Sequence, residues 1–128
     1  MAGSCAYGCA MHAAAPLYLL DANICIRILR DPDCRVAYRV RNSGDPVAIS
    51  TIVLAEIARG DTEKLPAQIA ILPFDAAAAA AFLRAARARG VFDRLIAAHA
   101  LALGATLITH NVRDFREVPG LRIEDWTA

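Results

Sequence analysis

The sequence predicts a three-layer α/β/α sandwich around a central, mainly parallel sheet of four to five strands, and three observations carry that prediction. Short apolar runs without polar alternation recur at residues 17–20, 47–50, 68–73 and 105–109, the pattern of strands buried on both faces beneath helices. Segments of helical spacing punctuated by Gly and Pro lie between them, so strands and helices alternate. A length of 128 residues suits one core and no second domain, and a hydrophobic content of 57%, much of it alanine, excludes a disordered chain.

Residues 1–16 carry no charged side chain and are expected to form a disordered tail ahead of a single domain over 17–128. Gly3, Ser4, Gly8 and His12 interrupt any signal-like apolar core. Cys5, Cys9 and His12 have the spacing of partial metal ligands but lack a fourth, and Met11 is an alternative start to Met1. The first strand, residues 17–20, delivers Asp21 to its carboxyl end, where open α/β sheets place their ligands. Asp21 is equally suited to cap the helix that follows, in which Ile24, Ile28 and Leu29 form one apolar face.

Asp31-Pro32 ends that helix, and Pro32 is expected to start another running to about Arg41. A turn cluster at 42–46 leads into the strand 47–50 and a helix over 51–60 capped by Ser50 or Thr51, with Gly60 past its end. Glu56 lies more than one turn into this helix, and its flanks Ala55, Ile57 and Ala58 leave its face undecided. After the strand at 68–73, Phe74-Asp75 opens an alanine-rich helix expected to run to Arg89 and close at Gly90, with Arg84 and Arg87 on a solvated edge. The next helix is apolar nearly all round and therefore buried. Asp93 stands at its amino end, where the macrodipole favours the ionised carboxylate. His99 reads as a packed or edge histidine, because no nucleophile accompanies it. The strand at 105–109 runs into the polar segment His110 to Phe115, placed by the doubly wound topology in the same cleft as Asp21, and residues 121–123 form a short fifth strand.

Charge excludes little. The net charge is +1, and Lys64 is the only lysine among the 14 basic residues; arginine suits planar gripping of phosphate. No apolar stretch reaches the ~20 residues of a membrane span. Cys25 and Cys34 read as small hydrophobes kept reduced in the cytoplasm, without disulfides.

Several stretches together resemble the PIN domains of VapC-type toxins: Leu20-Asp21-Ala22-Asn23-Ile24-Cys25-Ile26, Ile49-Ser50 through Ala55-Glu56, Asp93-Arg94-Leu95-Ile96-Ala97-Ala98-His99-Ala100, Thr109-His110-Asn111 through Phe115, and the closing residues 118–126. The resemblance runs from Leu17 to Trp126. It implies a Mg²⁺-dependent endoribonuclease, the toxin of a type II toxin–antitoxin pair, with an antitoxin encoded nearby, a homodimer, and a structured RNA substrate. It also implies that Asp21, Glu56 and Asp93 gather around metal, with Asp114 as the fourth acid and His110 or Asn111 as alternatives for that place. Ala22 departs from the family, which usually has Thr or Ser there. The chain is also shorter than many relatives between Gly60 and Gln68 and between Arg89 and Asp93. The alternative reading is a catalytically weakened PIN-fold module that binds antitoxin or RNA without cleaving.

The chemistry of such a cluster agrees with the resemblance. Carboxylates forced together repel one another and rise in pKa unless a cation neutralises them. Mg²⁺ prefers oxygen ligands, keeps waters and lowers the pKa of one for in-line attack, so no nucleophilic side chain is needed; Mn²⁺ can substitute. An antitoxin Arg or Lys could occupy the same place. Arg27, Arg94 and Arg113, each beside an acid-bearing segment, are the RNA-binding candidates. A haloacid-dehalogenase reading fails because Asn23 stands where a second Asp is required.

Overall fold

A computed structural model describes residues 16–57 and 62–127. The expected tail, with Met11 and the Cys5, Cys9, His12 trio, lies outside the described residues but for Pro16, as does the helix end expected at Gly60. The elements run in the order β1 (Tyr18–Leu20), α1 (Ala22–Arg30), α2 (Arg35–Arg41), β2 (Val47–Ser50), α3 (Thr51–Glu56), β3 (Ala70–Leu72), α4 (Ala76–Ala80), α5 (Val91–Leu103), β4 (Thr106–Ile108) and β5 (Arg122–Glu124). Short 3₁₀ turns occupy Thr62–Lys64, Phe82–Ala85 and Val112–Asp114.

The strands form one 5-stranded parallel sheet in the order β3-β2-β1-β4-β5. The chain winds outward from β1 to β3, then crosses back to β4 and on to β5. Right-handed crossovers in opposite directions put helices on both faces, which makes three layers. The reversal of strand order falls between β1 and β4. There Tyr18, Leu19 and Leu20 pair level with Thr106, Leu107 and Ile108, so the residues after both strands emerge side by side.

The inner strands explain the apolar runs. Leu19, Leu20, Ile49, Leu107 and Ile108 are fully buried, and Ile24, Ile28, Val36, Val40 and Ile96 from the helices complete the same cluster. Full burial of each such side chain is worth about 1.5–3 kcal/mol. Among the described residues no helix is long and apolar enough to cross a membrane.

Three local expectations change. Helix α2 begins at Arg35 and not at Pro32, because the Asp31 carboxylate accepts from Asp33 N at 3.1 Å and the Asp31 carbonyl accepts from Cys34 N at 3.0 Å; this Asx turn holds Pro32 outside the helix. Helix α3 stops at Glu56, with Ile57 as its C-cap. The alanine-rich helix breaks after Ala80. Arg84 N bonds the Ala81 carbonyl, Ala86 N that of Leu83, and Ala88 N that of Ala85, all i→i−3. Alanine methyls tolerate the eclipsed stacking of a 3₁₀ turn. The Arg89 N–H then leaves the helical pattern for the Asp114 carbonyl at 3.1 Å. Helix α5 starts at Val91, so Asp93 is its third residue and Gly90 its N-cap.

Candidate active site

Asp21 is the centre of a hydrogen-bonded seam across the sheet's switch point. It follows β1 and is only 4% exposed. Its Oδ1 accepts from Ala22 N at 2.8 Å, which caps α1, so the capping role is real. Its Oδ2 accepts from Asn23 Nδ2 and from Thr109 Oγ1, both at 2.8 Å. Thr109 Oγ1 in turn accepts from Asn111 N at 3.0 Å, and Asn23 Oδ1 accepts from His110 N at 3.1 Å. The ends of β1 and β4 are thus tied together through one carboxylate. Burial pushes the Asp21 pKa up; the bonds from Thr109, Ala22 and Asn23 pull it down without reversing the shift, and the Asp114 charge raises it further.

The other acids converge on this carboxylate. Glu56, at the last position of α3, is raised to about 7, first by partial burial and then by the charges of Asp21 and Asp93. Asp93 is also raised, by burial and then by Asp21 and Asp114, although its Oδ2 accepts from Gly90 N at 3.3 Å and the Arg89 charge opposes the rise. Desolvation and like charge outweigh whatever the helix end contributes, in the direction expected of clustered carboxylates. Asp114, at the end of the 3₁₀ turn Val112–Asp114, has Arg89 Nε 3.9 Å from its Oδ1.

The two alternatives for the fourth position are engaged otherwise. His110 Nδ1 pairs with Thr127 Oγ1 at 3.0 Å and lies 3.4 Å from Asp125 Oδ2, and Asn111 is exposed. Neither bears on the shifts of Asp21, Glu56 or Asp93, whereas Asp114 bears on Asp21 and Asp93. Cys25 beneath the site is pushed up to about 12 by burial and by the charges of Asp21 and Glu56, which keeps its thiol protonated and unreactive.

His99 is a packed residue. It is 1% exposed, its Nδ1 pairs with Ser50 Oγ at 2.8 Å, and its ring meets Phe74 edge-on at 5.5 Å. Ser50 also accepts from Ile52 N at 3.0 Å, capping the helix that carries Glu56. Of the expected RNA-binding arginines, Arg27 and Arg113 are exposed. Arg94 instead lies over the Phe82 ring at 4.2 Å with its Nε buried and unpaired.

Among the described residues, no three His, Cys, Asp or Glu side chains stand close enough to grip one ion at once. The donor set nevertheless fits a hard divalent cation. It is made of carboxylate oxygens at mutual electrostatic range, and a cation that keeps several waters can bridge such groups through them.

The PIN domain family matches residues 18–121. This chain belongs to the PIN domain family. Among its relatives are the tRNA(fMet)-specific endonuclease VapC of Shigella flexneri, 33% identical with 86% of this chain and 98% of the relative covered, and the ribonuclease VapC2 of Rickettsia felis, also 33% identical with 86% and 98% covered. The PIN fold here also superimposes on VapBC2 of Rickettsia felis bound to a promoter DNA fragment (TM-score 0.75, 27% identity, 86% of this chain and 98% of the other). VapBC of Salmonella typhimurium bound to DNA is as similar (TM-score 0.74, 28% identity, 87% and 98%).

Sequence reasoning missed the tie between Thr109 and Asn23 in this PIN domain. Both residues lie in the stretches that carry the resemblance, but a hydroxyl and an amide 86 positions apart have no linear signal that joins them. Only the strand order does.

Proposed function

We propose that this PIN domain is the ribonuclease toxin of a VapBC-type pair, cleaving RNA phosphodiester bonds with a divalent metal, Mg²⁺ or Mn²⁺, held among Asp21, Glu56, Asp93 and Asp114. The observation that carries the reading is that, on top of burial, the Asp21 charge raises Glu56 and Asp93, the Asp93 charge raises Glu56, and the Asp114 charge raises Asp21 and Asp93, around a carboxylate fixed at the sheet's switch point. Shifted carboxylates gathered at a cleft are characteristic of functional sites, and a cation resolves their repulsion. When bound, the metal supplies the positive charge that activates a water and offsets charge on the phosphate. Asp21, fixed by three hydrogen bonds, orients the centre. Glu56, raised to about 7 by burial and by the charges of Asp21 and Asp93, would be drawn to its ionised form by that cation and would help to hold it.

Ala22 is the one feature favouring a weakened module. It offers only its backbone N–H to Asp21. Thr109 supplies a hydroxyl to the same carboxylate from the neighbouring strand, which supports retained activity. The partner is a VapB-type antitoxin, in keeping with the VapBC complexes to which the fold is similar. Exposed Leu83, Val91 and Phe92, at 82%, 66% and 53% exposure on neighbouring elements, support a homodimer surface. The cytoplasm is the proposed compartment, consistent with the free thiols of Cys25 and Cys34.

The test is cleavage of folded RNA by the parent and by Asp93→Asn, each with Mg²⁺ and with chelator. Metal-dependent cleavage lost in Asp93→Asn supports the reading. Equal cleavage by both proteins, or no cleavage by the parent, overturns it.

A further inference from the structure

Two arginine-lined cavities flank the acid cluster, and one hydrogen bond joins them. The first, about 450 Å³, is lined by Asn23, Ile26, Arg27, Arg30, Asp31 and Cys34 along the outer side of α1. The second, about 550 Å³, includes Arg89, His110, Arg113, Asp114 and Arg116 in its wall. They meet where His110 N donates to Asn23 Oδ1 at 3.1 Å, and Asn23 is the residue whose amide also donates to Asp21. The basic surface therefore passes directly beside the most buried acid.

The charges on this surface are poorly neutralised. Among the described residues Arg27, Arg30 and Arg113 form no ion pair, while Arg89 and Arg116 make only long ones, 3.9 Å to Asp114 and 4.0 Å to Glu117, with most of each arginine side chain in solvent. Exposed pairs of that length contribute little. The chain as a whole carries a net charge of only +1, so five arginines along two adjoining cavities, against Asp31, Asp114 and Asp125 in the same walls, are a local arrangement and not a consequence of a basic protein. A polyanion approaching four carboxylates is repelled unless cations line its path. Guanidinium forks spaced along a groove suit successive phosphates.

We infer that this surface is a continuous phosphate track: the backbone of the RNA strand runs from the Arg27/Arg30 cavity past Asn23 and His110 into the Arg113/Arg116 cavity, and so presents the intervening phosphate to Asp21. The inference deepens the ribonuclease reading and rests on it for the identity of the strand. Arg94, stacked on Phe82, is not part of the track. Contacts of this kind read backbone and shape and not base sequence.

Binding of a folded RNA, a tRNA transcript, is measured by anisotropy over a range of KCl concentrations in the Asp93→Asn background, so that the RNA survives. Two paired changes are compared, Arg27→Gln with Arg30→Gln, and Arg113→Gln with Arg116→Gln. Each pair should weaken binding by about ten-fold or more and reduce the slope of log K against log[salt] by about 1 to 2, because each lost phosphate contact releases fewer counterions. Arg122→Gln, at the opposite end of the sheet, should change neither. Unchanged slopes in either pair overturn the track, as does a parent that binds no RNA. If the pairs spare RNA binding but weaken the antitoxin complex, the surface belongs to the protein partner and the inference fails. Arginine-dependent binding without metal-dependent cleavage would instead leave the track standing and remove the ribonuclease reading.

Discussion

Thr109 Oγ1 donates to Asp21 Oδ2 at 2.8 Å, joining the residues that follow β4 and β1 across the point where strand order reverses. The two positions are 88 residues apart. Level pairing of Leu20 with Ile108 brings them together, and Asp21 N adds a backbone bond to the Ile108 carbonyl at 2.9 Å. The carboxylate is thus held by both strands that border the cleft.

Thr109→Val removes the hydroxyl while keeping the shape. Its bond to Asp21 and the two it accepts, from Asn111 N and Asn23 Nδ2, are lost together, which should cost about 1–3 kcal/mol of stability. The bond from Thr109 is the largest influence holding the Asp21 pKa down, so its removal raises that pKa and moves the acid limb of the pH–rate profile to higher pH. Thr109→Ser should restore the limb. A profile that stays in place in Thr109→Val would mean that Thr109 does not act through Asp21.

Asp93→Asn offers a second separation of stability from activity. Its amide oxygen can still accept from Gly90 N, which Asp93 Oδ2 now does at 3.3 Å, and it relieves the repulsion from Asp21 and Asp114. Without metal at pH 7.5 the variant should melt at or above the parent temperature, yet cleave at least about 100-fold more slowly. A large drop in melting temperature would make Asp93 a structural residue first.

The sheet, its parallel sense and the place of Asp21 were legible in the sequence, because unbroken apolar runs signal two-sided burial and the residue after such a run must emerge at the strand end. Glu56 was not placed by pattern alone. In a helix of only 6 residues, no periodicity distinguishes the face toward the cleft from the face toward solvent, and only the resemblance marked it. The break after Ala80 escaped for a related reason: alanine favours helix but carries no side chain to enforce which turn it makes, so packing against α5 and the bond from Arg89 N to Asp114 decided it. The rise of Asp93 follows the repulsion expected of clustered carboxylates, but its size against the helix-end effect was not legible, because its burial and the Asp21 and Asp114 charges are products of the fold.

His99→Ala tests the packed role of the buried histidine. Removing the imidazole opens a cavity beside Phe74 and leaves Ser50 short of a partner, at a cost of about 2–4 kcal/mol. Cleavage per folded molecule, measured below the lowered melting temperature, should remain close to the parent's. A loss of about 100-fold or more would instead mark a general acid or base.

The acid cluster also sets how stability follows pH. Glu56 has a folded pKa of about 7 against an ordinary value of 4.5, so between those values the native state holds a proton that the unfolded chain has released. Stability therefore falls as pH rises through this window and levels off above it, the reverse of a salt-bridged carboxylate. Asp21 and Asp93, both raised, act in the same direction, and Arg89 opposes the rise only at Asp93. A bound divalent cation favours the ionised carboxylates, so millimolar Mg²⁺ should raise the melting temperature more at pH 7.5 than at pH 5. Melting curves of the parent and Glu56→Gln across pH 4.5 to 8, with and without Mg²⁺, read this directly. The glutamine variant should lose part of the pH-dependent decline and part of the metal response together. A metal-induced shift of equal size at both pH values would separate the cation from these carboxylates and place it elsewhere.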